Sequence, residues 1–200
     1  MKIAILALVT LFVLPLSELE QLQIGDKAPK TDLELTNIDG SAITLTGLKK
    51  ENGLCVIYSC NTCPWVVAWE DRYNQIFKEC EELGVGFVLV NSNEAKREGE
   101  DSMEQMKAHA KELGYMDFAY VVDKDHVLAD AFGATKTPDV FLFDSEMKLV
   151  YKGAIDDNSK DKNAVENPYL KNAIKAVSQG KKADPAETKA LGCSIKRIKS

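Results

Sequence analysis

The stretch Leu54-Cys55-Val56-Ile57-Tyr58-Ser59-Cys60-Asn61-Thr62-Cys63-Pro64-Trp65 decides how this chain is read. Residues 54–58 form an unbroken apolar run of strand length, the pattern of a strand buried on both faces. From Pro64 the period changes. Trp65, Trp69, Tyr73, Ile76, Phe77, Cys80 and Leu83 fall on one helical stripe, and Gly84 closes it. Pro64 suits a first helical turn. The pair Cys60-x-x-Cys63 therefore sits where a buried strand passes into a helix. Free N–H groups and the dipole at a helix start favour an anion, so a thiolate at Cys60 is expected there with a lowered pKa. On this reading Cys60 is the nucleophile. Cys63, one turn on, resolves the mixed disulfide.

Working outward, Asn37-Ile38-Asp39-Gly40 separates two short alternating runs and predicts a hairpin before the first buried strand. Residues 85–90 predict a second buried strand. Ser102 with Gln105 resembles a capping box and opens a helix that stops at Gly114. Residues 118–122 predict a third strand and 127–132 a short helix. Residues 140–143 and 148–151 predict a strand pair, and a last helix runs from Asn167-Pro168 to about Ser178. The order hairpin-β-α-β-α-β-α-β-β-α argues for an α/β domain with a central mixed sheet flanked by helices. Residues 91–100 read as a charged, solvated loop. The tail from Gly180 shows no clear period.

The chain has 200 residues, 45% of them hydrophobic, which suits a single globular domain with its own core. A formal charge of −6 gives no pull toward phosphate backbones, so nucleic acid is not expected as a partner. Residues 1–20 carry Lys2, then a mostly apolar run shorter than a membrane span. They read as a signal peptide, with export to the periplasm or cell envelope and no stable membrane embedding after its removal. Domain boundaries follow at 21–180 for the folded domain and 181–200 for a tail carrying Cys193. The five cysteines are Cys55, Cys60, Cys63, Cys80 and Cys193. No second CxxC or histidine pair completes a zinc set, so no metal and no dissociable cofactor is expected. Cys55 and Cys80 fall on core positions and read as small hydrophobes. Cys193, in a polar tail, is not explained by packing. It is a candidate third redox thiol or a free one.

Thr137-Pro138 precedes the strand at residue 140 and is a candidate cis-proline turn. With this element in place the chain resembles the thioredoxin-like redoxin group of alkyl-hydroperoxide-reductase and thiol-specific-antioxidant type. The likeness is carried by the hairpin, by Cys60-Asn61-Thr62-Cys63-Pro64, by Gly133-Ala134-Thr135-Lys136-Thr137-Pro138, and by Gly192-Cys193-Ser194-Ile195-Lys196. It implies a thioredoxin fold with an N-terminal β-hairpin extension. It also implies that Pro138 is cis and faces the disulfide, and that its loop, with Thr137, meets the substrate backbone. Trp65 stands as a rim residue offering an apolar contact.

Some features depart from the pattern. Ser59 precedes the motif where thioredoxin has tryptophan. Residues 54–58 contain no buried acid, so Glu70 and Asp71 are the nearest candidates for a proton acceptor. The Pro-x-x-x-Thr-x-x-Cys element of peroxiredoxins is absent, because Ile57 stands three residues before Cys60. The expected activity is dithiol–disulfide exchange with protein or small-molecule disulfides, supplied by an upstream redox partner. A thiol-dependent peroxidase is the first alternative. A copper- or metal-handling module of the same fold is the second.

Overall fold

The computed structural model describes residues 20–198, so the signal-peptide reading falls, apart from Glu20, outside the described residues. The strands are β1 (Leu35–Asn37), β2 (Ala42–Ile43), β3 (Gly53–Tyr58), β4 (Val85–Asn91), β5 (Ala119–Val122), β6 (Lys136–Thr137), β7 (Asp139–Phe143), β8 (Leu149–Gly153) and β9 (Cys193–Ser194). The helices are α1 (Leu45–Leu48), α2 (Pro64–Val67), α3 (Tyr73–Glu82), α4 (Met103–Leu113), α5 (Val127–Phe132) and α6 (Tyr169–Ser178). Seven strands form one mixed sheet in the order β2-β1-β5-β4-β3-β7-β8. β6 and β9 form a separate two-stranded ribbon. Among the described residues no helix is long and apolar enough to cross a membrane.

β3 is the centre of this arrangement. It pairs in parallel with β4 and antiparallel with β7. Its side chains alternate between two cores. Leu54, Val56 and Tyr58 pack on one face with Leu45, Leu128, Phe132 and Phe141. Cys55 and Ile57 pack on the other with Tyr73, Ile76, Cys80 and Ile174. Both faces are covered by helices, which is why the strand reads as one continuous apolar run rather than an alternation. Each such side chain removed from water contributes about 1.5–3 kcal/mol. The hairpin of β1 and β2 extends the sheet beyond β5.

Two expectations are corrected. The helix foreseen over residues 64–83 is three pieces: α2, a 3-10 turn at Glu70–Arg72, and α3. The break follows from a buried anchor. Trp69 leaves helical geometry at φ −121°. Its indole N–H donates to Asp156 Oδ1 at 2.6 Å. The buried Arg72 guanidinium lies 3.3 Å from the other Asp156 oxygen and donates to the Asn158 carbonyl at 2.7 Å. The helical stripe survives because each piece still presents its apolar side to the core. The second correction concerns residues 91–100. Asn91, Ser92 and Asn93, at the end of β4, are buried rather than solvated.

Two predictions follow from the sheet. Gly53 has φ +130°, and a Cβ there would stand 1.9 Å from the Phe143 carbonyl oxygen on β7. Gly53→Ala is expected to destabilise the protein by about 2–3 kcal/mol, through backbone strain and overpacking together, read from the urea midpoint. Asp139, 1% exposed at the start of β7, has its carboxyl pushed up to about 7, chiefly by burial. Its folded pKa exceeds the unfolded value of about 3.9. The folded state therefore holds the proton more tightly, and this stabilisation is full below pH 4 and lost as pH rises to 7. Asp139→Asn removes that loss. Relative to the native chain it is expected to gain on the order of 2–4 kcal/mol between pH 4 and pH 8 in urea unfolding.

Candidate active site

The loop that leaves β3 carries both cysteines. Ser59 extends the strand by donating its N–H to the Val90 carbonyl at 2.8 Å, and its hydroxyl meets the Tyr73 hydroxyl at 3.2 Å. Asn61, between the cysteines, is held on three sides. Its N–H donates to Asp101 Oδ1 at 2.9 Å, and its amide donates to the Glu100 carbonyl at 2.7 Å. Its own carbonyl oxygen accepts from the Tyr120 hydroxyl at 2.9 Å. Asp101 is itself fully buried and accepts from Asn91 at 2.8 Å and Asn93 at 2.9 Å. The loop between the cysteines is therefore clamped to the ends of β4 and β5.

The helix begins at Pro64, where the change of period placed it. Pro64 opens α2 and Cys63, not Cys60, is its N-cap. The cysteine at the helix start is thus the second one, and Asn61 before it is held by Asp101 and Glu100. The electrostatics follow this placement. The Cys63 thiol is lowered to about 4, first by the hydrogen bond it accepts from Cys60, with help from Cys193 and the Val66 N–H. Cys60 is raised, first by donating that bond to Cys63 and then by burial, with the Asp101 charge adding to the effect. Burial and the Asp101 charge disfavour a thiolate on Cys60, and the Cys60 contact favours one on Cys63.

The proline loop closes the site from the opposite side. The Thr137-Pro138 bond is cis. The Thr137 hydroxyl lies 3.4 Å from Cys60 Sγ, and the Thr137 carbonyl accepts from the protonated Cys63 thiol at 3.1 Å. That carbonyl favours the protonated form of Cys63. Trp65 is 39% exposed and stacks on Trp69 at 5.9 Å between ring centroids, which leaves one indole face at the rim. Cys193 Sγ lies 2.6 Å from Cys63 Sγ. Cys60, Cys63, Cys193, Thr137, Lys96 and Lys196 are among the residues around a small cavity of about 170 Å³.

Other candidates separate from the thiols. Glu70 pairs with His109 at 3.2 Å, and Asp71 pairs with Arg72 and Lys162 at 2.5 and 3.4 Å. Cys55 and Cys80 are fully buried, and contact with Cys55 together with burial raises the Cys80 thiol. Among the described residues no group of three or more histidine, cysteine, aspartate or glutamate side chains is placed to hold a metal ion. Asp101, Asn91 and Asn93 were missed from the sequence. Their signal was polar residues at the carboxyl end of a buried parallel strand, the usual edge of a site in such sheets.

A mixed sheet with a CxxC loop leaving its central strand, opposed by a cis-proline loop, defines a thioredoxin-fold dithiol protein. Residues 24–152 match the AhpC/TSA family, and the chain belongs to that family. No curated protein matches it. It is similar to the structure of an uncharacterized conserved protein from Geobacillus kaustophilus, at 34% identity and TM-score 0.81, covering 89% of this chain and 94% of that one. At 14% identity and TM-score 0.60 it shares its fold with peroxidoxin BcpB from Mycobacterium tuberculosis, covering 80% and 98% of the two chains. At 20% identity and TM-score 0.56 it shares its fold with the thioredoxin domain of a thiol-disulfide oxidoreductase from Bacteroides vulgatus, covering 67% and 90%. The family makes the chain a redox protein of redoxin type.

The inverted pKa order is testable by thiolate absorbance at 240 nm. In the reduced protein one thiolate is expected to appear below pH 6 and to be lost in Cys63→Ser. In Cys60→Ala its midpoint is expected to move up, because the donor that stabilises it is gone.

Proposed function

We propose that the chain is a thiol–disulfide oxidoreductase that exchanges two electrons through the Cys60–Cys63 pair. One observation carries the reading: both sulfurs lie against the same residue, Thr137, on the loop that ends in cis Pro138. In the reduced state the Cys63 thiolate attacks a sulfur of the partner disulfide. The partner's other sulfur leaves as a thiolate and takes a proton. Cys60 then loses its proton and attacks Cys63, releasing the second partner thiol and closing the Cys60–Cys63 disulfide. The roles of the two cysteines are thus reversed relative to the motif reading, since the contacts from Cys60 and the Val66 N–H lower the Cys63 thiol. Thr137 and Pro138 organise the partner's approach, and Trp65 supplies an apolar rim. The substrates are protein or small-molecule disulfides, with electrons delivered by an upstream dithiol. Export to the periplasm or cell envelope is part of this proposal and rests on residues 1–20.

Peroxide consumption is the second reading, favoured by the Thr137 hydroxyl beside Cys60 and the small cavity at the thiols. The test is equilibration against glutathione buffers with mass counting of free thiols. The expected result is a reversible two-electron couple that is lost in Cys60→Ser and Cys63→Ser, with disulfide reductase activity falling at least about a hundredfold in each. Absence of a reversible couple overturns the proposal. Hydrogen peroxide turnover by the native chain above that of free dithiothreitol would move the peroxidase reading to the front.

A further inference from the structure

The segment from Gly192 to Arg197 is built into the site. β9 pairs antiparallel with β6, setting Cys193 opposite Thr137 and Ser194 opposite Lys136. The Ile195 N–H donates to the Thr135 carbonyl at 3.0 Å, and the Ala95 N–H donates to the Lys196 carbonyl at 2.8 Å. The Lys196 N–H donates to Asn93 Oδ1 at 2.8 Å. Arg197 closes the end, with its guanidinium 2.7 Å from Asp130 and donating to the Ala134 carbonyl at 2.6 Å. Ile195 is buried in the core on the β3 face that holds Leu54 and Phe132. Gly192 passes so near β6 that a Cβ there would meet the Thr137 carbonyl oxygen at 2.5 Å.

This arrangement has two results. The edge of β6, the backbone edge beside the thiols on which a partner strand could pair, is already filled by the chain's own β9. Cys60 is 1% and Cys63 5% exposed, whereas Cys193 is half-buried and so stands between them and solvent. A partner's cysteine therefore meets Cys193 first.

We propose that Cys193 is a third catalytic thiol, a relay that takes the disulfide from Cys60–Cys63 and presents it to the partner as Cys63–Cys193. The proposal rests on the Cys60–Cys63 exchange set out above. Cys193 loses its proton to solvent and attacks Cys63 Sγ of the Cys60–Cys63 disulfide. The Cys63–Cys193 bond forms as the Cys60–Cys63 bond breaks, and Cys60 keeps the electron pair and takes up a proton. This step changes no oxidation state. A protein dithiol then attacks Cys193, and Cys63 leaves as a thiolate, the form that the Cys60 thiol and the Val66 N–H favour by hydrogen bonding. The lower-pKa thiol leaves faster, so attack on Cys193 rather than on Cys63 is the preferred direction. The partner's second thiol finally displaces Cys193, and two electrons have passed to the enzyme. The small cavity lined by the three cysteines is also lined by Lys196, whose charge favours a thiolate on Cys193.

The test uses the full chain. Cys60→Ser, treated with one equivalent of diamide, is expected to yield an intramolecular Cys63–Cys193 linkage by peptide mass mapping. Gly192→Ala in that background is expected to slow the linkage at least about tenfold while both thiols remain present. Reduction of the oxidised protein by reduced thioredoxin is expected to fall at least about tenfold in Cys193→Ser. If Cys63 and Cys193 stay unlinked in Cys60→Ser, or if Cys193→Ser is reduced by thioredoxin at the native rate, the relay is overturned. The two-electron couple measured in Cys193→Ser separates this failure from the broader one. If the couple is present there, only the relay falls. If it is absent there and in the native chain, the exchange reading falls with it.

Discussion

One residue is the meeting point of the site. Thr137 offers its hydroxyl to Cys60, its carbonyl to Cys63 and its backbone to the strand that carries Cys193. It is followed by a cis peptide bond, and the next residue, Asp139, begins β7, which is hydrogen-bonded to β3. The reactive loop leaves the end of β3, so the two halves of the site grow from adjacent strands of one sheet. Their spacing is set by the sheet ladder. It does not depend on the placement of flexible loops, and a shift of either strand would be felt at the sulfurs at once.

A second support lies behind the first. Asp101 is a buried carboxylate that accepts hydrogen bonds from Asn61, Asn91 and Asn93, and Asn93 in turn accepts from the tail at Lys196. One polar hub thus ties the cysteine loop to the end of β4, and through Asn93 to the C-terminal segment. A buried charge is tolerated when its lone pairs are filled by donors, which is the case here. The same charge lies close enough to Cys60 to disfavour its thiolate. A structural clamp and an electrostatic bias are served by one side chain.

Most of the sheet was legible because burial on both faces leaves a direct trace in composition. β3, β4 and β7 are runs that no other environment explains. The helix caps at Ser102, Gly114 and Gly133 were readable for a similarly local reason. The misreadings are all tertiary. The break at Trp69 depends on Asp156, 87 residues away in the chain. The capture of Asn61 by Asp101, from a loop 40 residues on, left no local trace. The burial of Asn91 and Asn93 depends on that same acid. The Thr137-Pro138 element and the cysteines were found by motif, but the relative electrostatics of the thiols were not, since these arise from their mutual contact, burial, Asp101 and Cys193.

The anchoring of the C-terminal segment on both sides of Cys193 has a consequence for small thiols. A thiol fixed against its target by a buried isoleucine and an arginine pair has already given up the freedom that a dissolved thiol must lose on reaction. In the proposed relay it reaches Cys63 without a bimolecular encounter. A glutathione molecule joined to Cys63 would be displaced from within faster than it could be removed from outside. Under the proposed relay the segment would act as a filter on time, keeping mixed disulfides on Cys63 brief unless the attached partner is large enough to hold the segment away.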